Sequence, residues 1–373
     1  MPANAASKVE LSIGGFVNDR WMAYEVDSDL LTPADAWRVS VGLGDKPLPT
    51  EVQPGAAVTL RVDGELVLSG VCDEVIEDVA PGKRSLELCG RDGAGVLLDC
   101  SAPVLVATQQ LLETIVAKVV RPLGVTKVRI DAAKQLLRER VNTEPGDSAW
   151  STLQRAAEAN GLWPWFEPDG TLVVGGPDYA AEPVAELVMK RDGLSNNLLS
   201  LQRRRSLAER FSTVTVLGQA HSGMTAGTGS NNVRATVEDD GVPTYRPKVL
   251  CDHEAQTTAI AQARARKFIS DSRLKGFELR GEVSGHRCGP APAPLWRPGQ
   301  RVRVVSEPHE IDGVFFLMGR TFVLDRKRGQ ITRLRLKEDG VWTLDAHPHT
   351  RKHRRGKNSL PGKVYDLSKG GGS

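Results

Sequence analysis

The sequence of 373 residues lacks any run near the roughly 20 consecutive apolar residues that a membrane-spanning helix requires. Membrane insertion is therefore not expected. The start, Met1 to Lys8, has no apolar stretch behind a basic one, so no secretory leader is expected, and folding is expected in the cytoplasm where the chain is made. Cysteine is scarce. Cys72, Cys89, Cys100, Cys251 and Cys288 are odd in number and widely spaced, with no C-x-x-C, which fits neither a disulfide framework nor a zinc site. Buried or half-buried free thiols are expected.

Catalytic signatures are missing as well. The histidines (His221, His253, His286, His309, His347, His349 and His353) form no H-E-x-x-H, and neither a G-x-S-x-G elbow nor a phosphate-binding G-x-x-x-x-G-K-[ST] loop occurs. Gly227-Thr228-Gly229-Ser230 has the composition of a phosphate loop without its lysine and reads as a flexible loop. Asp252 and Glu254 beside His253 read as acids at the positive end of a helix. His347-x-His349 with His353 could hold a metal ion, but the surrounding Arg and Lys make a solvated tail the better reading. Arg203-Arg204-Arg205 reads as a solvated strand edge. Trp150, Trp163 and Trp165 could make a sugar platform, although packing is the commoner use of large aromatics. Paired carboxylates for sugar hydrolysis leave no linear signature, because their separation is spatial. No catalytic, cofactor or metal residue is assigned, and the chain is expected not to be an enzyme.

What is present begins with charge. The net charge is +3, but residues 346–373 carry Arg351, Lys352, Arg354, Arg355, Lys357, Lys363 and Lys369 against Asp366 alone. The body is slightly acidic, so it lacks the clustered positive field of a general nucleic-acid binder.

Patterning divides the chain into four. Residues 1–94 alternate at period two, as in Val58, Leu60 and Val62 against Thr59, Arg61 and Asp63, with turns at Pro54-Gly55 and Pro81-Gly82. Short strands of this kind predict a small barrel or sandwich. Residues 95–180 predict an α/β unit. Its helices span 109–120 and 149–160, the second capped by Asp147 or Ser148, and a hairpin follows through Trp163 and Leu172. Residues 181–345 predict a second β-barrel domain, with a strand over 211–217, a long loop over 218–247, a helix over 254–272 and later strands. Residues 346–373 read as a basic flexible tail. Gln53-Pro54-Gly55 through Gly70, Gly82, Leu86-x-Leu88 and Asp92-Gly93 repeats in order as Arg297-Pro298-Gly299 through Gly319, Gly329, Leu334-x-Leu336 and Asp339-Gly340. This order points to a duplicated β-domain. The fold class expected is α+β, mainly β: two similar small β-barrel or sandwich domains, an inserted α/β domain and one further helix.

Three stretches then carry a family resemblance: Val9 to Asp27 with Val52 to Asp92; Pro145-Gly146-Asp147-Ser148-Ala149-Trp150 through Asp169-Gly170; and Trp296-Arg297-Pro298-Gly299 through Leu336. The chain resembles the baseplate hub proteins of contractile phage tails, most closely the tail protein of Mu-like phages. It is also similar to phage late control proteins and to the hub part of type VI secretion spikes. The resemblance implies a homotrimer in the virion tail baseplate, a ring of six like units made from three chains. It implies partners in the central spike protein, the tail tube and other baseplate proteins, and passive passage of DNA through the ring. The alternative is a tail-associated peptidoglycan hydrolase or glycan-binding module.

Overall fold

The computed structural model describes residues 6–44, 47–103, 106–107, 111–131, 141–142, 146–158, 161–219, 232–252, 255, 257–290, 292–342, 344 and 364–366. The first 94 residues give β1 (Val9–Ile13), β2 (Phe16–Asn18), β3 (Ala23–Asp29), β4 (Ala36–Gly42), β5 (Ala57–Val62), β6 (Glu65–Ala80) and β7 (Lys83–Asp92). Next come α1 (Ala94–Asp99), β8 (Val106–Ala107), α2 (Leu112–Val120), β9 (Lys127–Ile130), β10 (Val141–Asn142), α3 (Ala149–Glu158), β11 (Trp163–Phe166) and β12 (Leu172–Gly175). The remainder supplies β13 (Ala185–Met189), β14 (Leu198–Arg205), β15 (Thr213–Gln219), β16 (Asn232–Glu238), β17 (Pro247–Cys251) and α4 (Thr258–Gly276). After these come β18 (Phe277–Ser284), β19 (Arg301–Ser306), β20 (Ile311–Asp325), β21 (Gly329–Glu338) and β22 (Val364–Asp366).

Most of these strands join one large sheet. From one end it runs β14-β18-β21-β20, crosses to β3-β4-β7-β6 and ends in β5-β1-β2, while β19 pairs with β20 and carries β13. One strand order therefore occurs twice, β3-β4-β7-β6-β5 in the first part and β14-β18-β21-β20-β19 in the second, and it ends there, because β1 lies antiparallel to β5 whereas β13 lies parallel to β19. The match extends to individual hydrogen bonds. Gly55 N–H donates to the Cys72 carbonyl, and Cys72 N–H donates to Ala56. Gly299 N–H donates to Leu317, and Leu317 N–H donates to Gln300. Both glycines sit at positive φ, 85° and 90°, where an L side chain is strained. Both long strands bulge just beyond this turn, β6 between Cys72 and Glu74 and β20 between Leu317 and Gly319.

These bonds also correct the repeat as read from sequence. Glu74, not Gly70, is the counterpart of Gly319, and Leu88 matches Leu334. The glycines stand in different roles. Gly70 abuts the Arg91 carbonyl across β7, whereas Gly319 faces the Asp29 carboxylate on β3.

Alternation explains the packing. In β3, Tyr24 and Val26 are buried while Glu25 and Asp27 turn the other way, and β5 buries Val58, Leu60 and Val62. The apolar faces of both parts share one core. Trp37, Leu60, Leu68 and Leu88 belong to the same cluster as Leu279, Val304, Phe322, Leu336 and Trp296. Of three other buried clusters among the described residues, a small one joins Leu274, Phe316, Met318, Trp342 and Leu344, and two belong to smaller sheets. Helices α1–α3 pack Leu97, Ile115, Val119, Trp150 and Leu153 with Leu172 and Val174 of a sheet ordered β11-β12-β9-β22. Helix α4 covers Val214, Val216, Val233 and Ala235 of the sheet β16-β15-β17 through Ala261, Ala265 and Ile269.

Several boundaries differ from the expectations. Helix α4 starts at Thr258, four residues later than expected, because the Thr257 hydroxyl accepts from Ile260 N–H at 3.3 Å and caps it there. The Ser148 hydroxyl caps α3, accepting from Ser151 N–H at 3.1 Å, while Asp147 pairs with Arg155. The loop expected over 218–247 contains β16, whose Val233 and Ala235 alternate inward beside β15. Residues 220–231 of that stretch lie outside the described residues. Val364–Asp366, within the stretch read as a flexible tail, pair with β9.

Candidate functional site

The side of the large sheet opposite its apolar core is charged and hollow. Residues from β14 at one end to β6 and β7 at the other line one groove of about 1060 Å³, so this face curves inward across both repeats. Period-two alternation sets its chemistry. Glu25, Asp27 and Asp29 of β3 project into it beside Arg38 of β4 and Arg91 of β7, and Arg280, Glu282, Arg333 and Arg335 come from β18 and β21.

Opposite charges interleave. Arg333 bridges Glu25 at 3.5 Å and Glu282 at 3.7 Å. Arg91 bridges Asp73 at 2.7 Å and Asp99 at 2.6 Å. Arg335 pairs with Asp29. Each positive charge on this wall has an acid at hand, so the net field over the groove is small. Partly exposed pairs of this kind contribute little to stability, on the order of 0–1 kcal/mol each. Their effect is on what the surface attracts.

The groove crosses a joint between the two repeats, where β20 runs antiparallel to β3, pairing Phe322 with Val26 and Thr321 with Asp27. Asp27 accepts from the Thr321 hydroxyl at 2.8 Å. A Cβ on Gly319 would lie 1.9 Å from Asp29 Oδ2, so only glycine permits this approach. Behind the joint, the buried Arg320 donates to the Val26 carbonyl at 2.8 Å and stacks 4.1 Å from the Phe322 ring. Burial pulls the Arg320 guanidinium below its ordinary range, to about 10, against the charges of Asp35 and Asp27.

Beside Phe322 lies a buried polar relay. The Thr332 hydroxyl donates to the Gly285 carbonyl at 2.6 Å and accepts from His286 Nδ1 at 3.0 Å. His286 Nε2 is left to accept the Tyr24 hydroxyl at 2.7 Å. The neutral imidazole satisfies every member of this chain. Burial, with the nearby Arg320 charge, pushes the His286 pKa down to about 4. Unfolded, the imidazole titrates near 6.5, so between these values the unfolded chain binds the extra proton. The stability contributed by neutral His286 is complete above about pH 6.5 and is lost as pH falls toward 4, a loss on the order of 3 kcal/mol. Urea unfolding of the protein beside a His286→Gln variant isolates this group. The protein should lose that much relative to the variant between pH 7 and pH 4, and a pH-independent difference would contradict the assignment.

Most residues singled out from sequence stand elsewhere. Trp150 is buried in the helical core, and Trp163 donates to the Leu30 carbonyl at 2.6 Å and meets Trp342 edge-on. With Trp150 buried, the three tryptophans do not form a shared exposed platform. Asp252 pairs with Arg264 at 3.2 Å. His221, Gly227 to Ser230, His253, Glu254, His347, His349 and His353 lie outside the described residues. Among the described residues no group of three or more His, Cys, Asp or Glu could hold a metal. Cys72 is buried and Cys89, Cys100 and Cys288 are half-buried, but Cys251 is exposed at the end of β17, contrary to expectation. The groove was missed because its charges come from strands far apart in sequence.

The molecule thus combines a long sheet with a charge-balanced groove and two smaller domains with cores of their own. Four family models match the chain in order. Residues 8–92 match the N-terminal part of the Mu phage baseplate assembly protein GpP-like family, and residues 94–176 match the second domain of baseplate hub proteins that are gp44-like. Residues 210–269 match the third domain of NMB1110-like tail proteins, and residues 271–341 match a tail-protein C-terminal domain. Baseplate hub protein gp44 of Escherichia phage Mu is 25% identical over 372 residues, covering 96% of this chain and 94% of that protein. The tail protein of Neisseria meningitidis MC58 is 36% identical with a TM-score of 0.81, over 92% of this chain and 100% of that one. The 43 kDa tail protein of prophage MuSo2 from Shewanella oneidensis, at 21% identity and a TM-score of 0.79 over 91% of this chain and 100% of that one, shares the fold. The chain belongs to the Mu-like tail protein family of phage baseplate hubs, and its place is the virion tail.

Proposed function

We propose that this hub works as a homotrimeric ring in which the two β-repeats of each chain act as like barrel units, giving a pseudo-sixfold collar. The observation that carries this is the repeated strand order with its shared Pro-Gly turn, bulge and continuous curved sheet. Two like units per chain let a threefold spike meet a sixfold tube through matched interfaces. The concave face then lines the channel through which DNA leaves.

Its interleaved charges suit that task. A wall rich in unpaired Arg and Lys would hold phosphates through counterion release, with affinity rising steeply as basic contacts are added. Here Arg333, Arg335 and Arg91 are already matched by carboxylates, so DNA slides past without being gripped. The central spike, the tail tube and other baseplate proteins are the partners of the collar, and the chain acts as scaffold and not as catalyst. Assembly takes place in the host cytoplasm, before the tail meets a new cell.

Native mass spectrometry of the purified chain tests this reading. A trimer is expected. A monomer that clears peptidoglycan would overturn it in favour of a tail-associated hydrolase.

A further inference from the structure

The second repeat is open at one end. Where β14 and β21 end and β18 and β20 begin, the strands surround a pocket of about 510 Å³. Its floor is apolar. The rings of Phe277 and Phe315 stack with centroids 5.9 Å apart and 12° between their planes, and Ile311 completes the floor. All three are half-buried and rest on the large core.

The rim is basic, unlike the groove. Arg203, Arg205 and Arg210 line it with one acid, Glu338, which Arg273 pairs at 3.9 Å from outside the pocket. Arg203 donates to a carbonyl, that of His309, at 2.6 Å, and Arg205 makes no ion pair among the described residues. Arg210 pairs with Asp239 at 2.7 Å, but its buried Nε has no hydrogen-bond partner among the described residues. Two glycines leave the room that Arg210 occupies. A Cβ on Gly276 would lie 2.3 Å from Arg210 Cδ, and one on Gly241 would lie 2.8 Å from its Nη2.

We propose that this mouth docks an extended segment of a partner protein in which an aromatic side chain stands beside carboxylates. The ring enters over Phe277 and Phe315, and the carboxylates meet Arg205 and Arg210. This rests on the reading of the chain as a scaffold among other tail proteins, which supplies the class of partner.

The first repeat supplies a precedent for the occupant. Pairing through β7 and β21, then through β4 and β18, equates Val26 with Arg203 and Asp92 with Glu338. Counting on along the chain, Leu30 corresponds to Leu207 of the pocket. At that end of the first repeat the chain seats its own second domain. Trp163 donates to the Leu30 carbonyl, and the Phe166 ring comes within 2.7 Å of where a Cβ on Gly93, next to Asp92, would stand. Both aromatics belong to one extended strand, β11. In the second repeat the corresponding end is left as the pocket.

Charge separates the two ends. Arg205 stands where β3 has Ser28. A domain tethered by its own chain needs no steering, whereas a separate protein is drawn and oriented by opposite charge. Arginine binds carboxylates through paired N–H donors, and aromatic and arginine side chains carry much of the binding energy at protein interfaces. Barrel mouths are also common places for such pockets. A single-stranded nucleotide offers a ring and an anion too. The β11 precedent favours a protein strand, and the test separates them.

The test is fluorescence anisotropy of the full chain with a fluorescein-labelled peptide, Glu-Asp-Trp-Glu-Asp. The peptide should bind. Arg205→Glu in the chain, or alanine for tryptophan in the peptide, should each weaken binding roughly tenfold or more. A short oligothymidylate and inorganic phosphate should not displace it. No binding, binding indifferent to both changes, or displacement by either competitor would overturn the proposal. A second measurement uses tail particles. With p-benzoylphenylalanine in place of Leu207, which is 42% exposed at the rim, illumination should cross-link another tail protein at a segment that holds an aromatic residue and an acid. No cross-link, or one confined to copies of this chain, would overturn it as well. The lining residues all belong to one chain, so these failures leave the ring reading standing, and a monomeric native mass would remove the ring without touching the pocket.

Discussion

A Phe322→Ala chain should lose about 3–5 kcal/mol of folding stability, the usual cost of emptying a large aromatic site in a core. Phe322 is 1% exposed at the joint of the two repeats, opposite Val26. Its ring centroid lies 4.5 Å from that of His286, and the Arg320 guanidinium stacks on it. Truncation opens a cavity and also removes the surface that shields a buried cation, a contact worth about 2 kcal/mol when desolvated. The loss should fall at the upper end of the range, and Phe322→Leu should recover much of it. Urea denaturation gives the number. A change below about 1 kcal/mol, within what an exposed position tolerates, would show that the two repeats do not depend on this joint.

Lys337→Met should cost a similar amount for a different reason. Lys337 and Glu278 are each 7% exposed and pair at 3.0 Å. The ammonium also donates to the Leu274 carbonyl at 2.9 Å and the Phe277 carbonyl at 3.1 Å, which closes the C-terminal end of α4. Burial lowers the pKa of Lys337, while the Glu278 carboxylate holds its charge in place. For Glu278, burial pushes upward, but Lys337 and Arg280 outweigh it and keep the carboxyl below its ordinary range. Removing the lysine alone leaves the buried carboxylate with the more exposed Arg280 as its remaining cation, and breaking a buried pair on one side costs about 3–5 kcal/mol, whereas replacing both partners by apolar residues is often neutral or better. A double-mutant cycle with Glu278→Leu should therefore show the pair of changes to be far milder than Lys337→Met alone. Additive losses would mean that the two charges do not interact in the folded protein.

The strands that alternate most cleanly were legible in the sequence. Val58, Leu60 and Val62 of β5 and the Pro-Gly turns at Gly55 and Gly299 reveal themselves because period two and positive φ leave local marks. Strands β3 and β14 left weaker marks. Their exposed faces carry Glu25, Asp27, Gln202 and Arg204, and what makes them strands is a neighbour distant in sequence. The order of the repeat was readable, but its register slipped by up to four residues, because glycines mark turns and close approaches alike. Glu74 replaces a glycine where no Asp29 crowds the backbone. The groove could not be read at all, since Arg333 meets Glu25 only after the sheet has crossed from one repeat to the other. Arg203-Arg204-Arg205 was correctly placed on a strand edge, since β14 pairs with β18 alone among the described strands.

The central claim, a collar whose charge-balanced face surrounds the channel, is tested most directly by electron cryo-microscopy of the assembled baseplate. Three copies around the axis, a continuous sheet, and Glu25, Arg38, Glu282 and Arg333 facing the lumen are expected. A reconstruction in which that face points outward, or in which the chain sits at the periphery as separate copies, would contradict it.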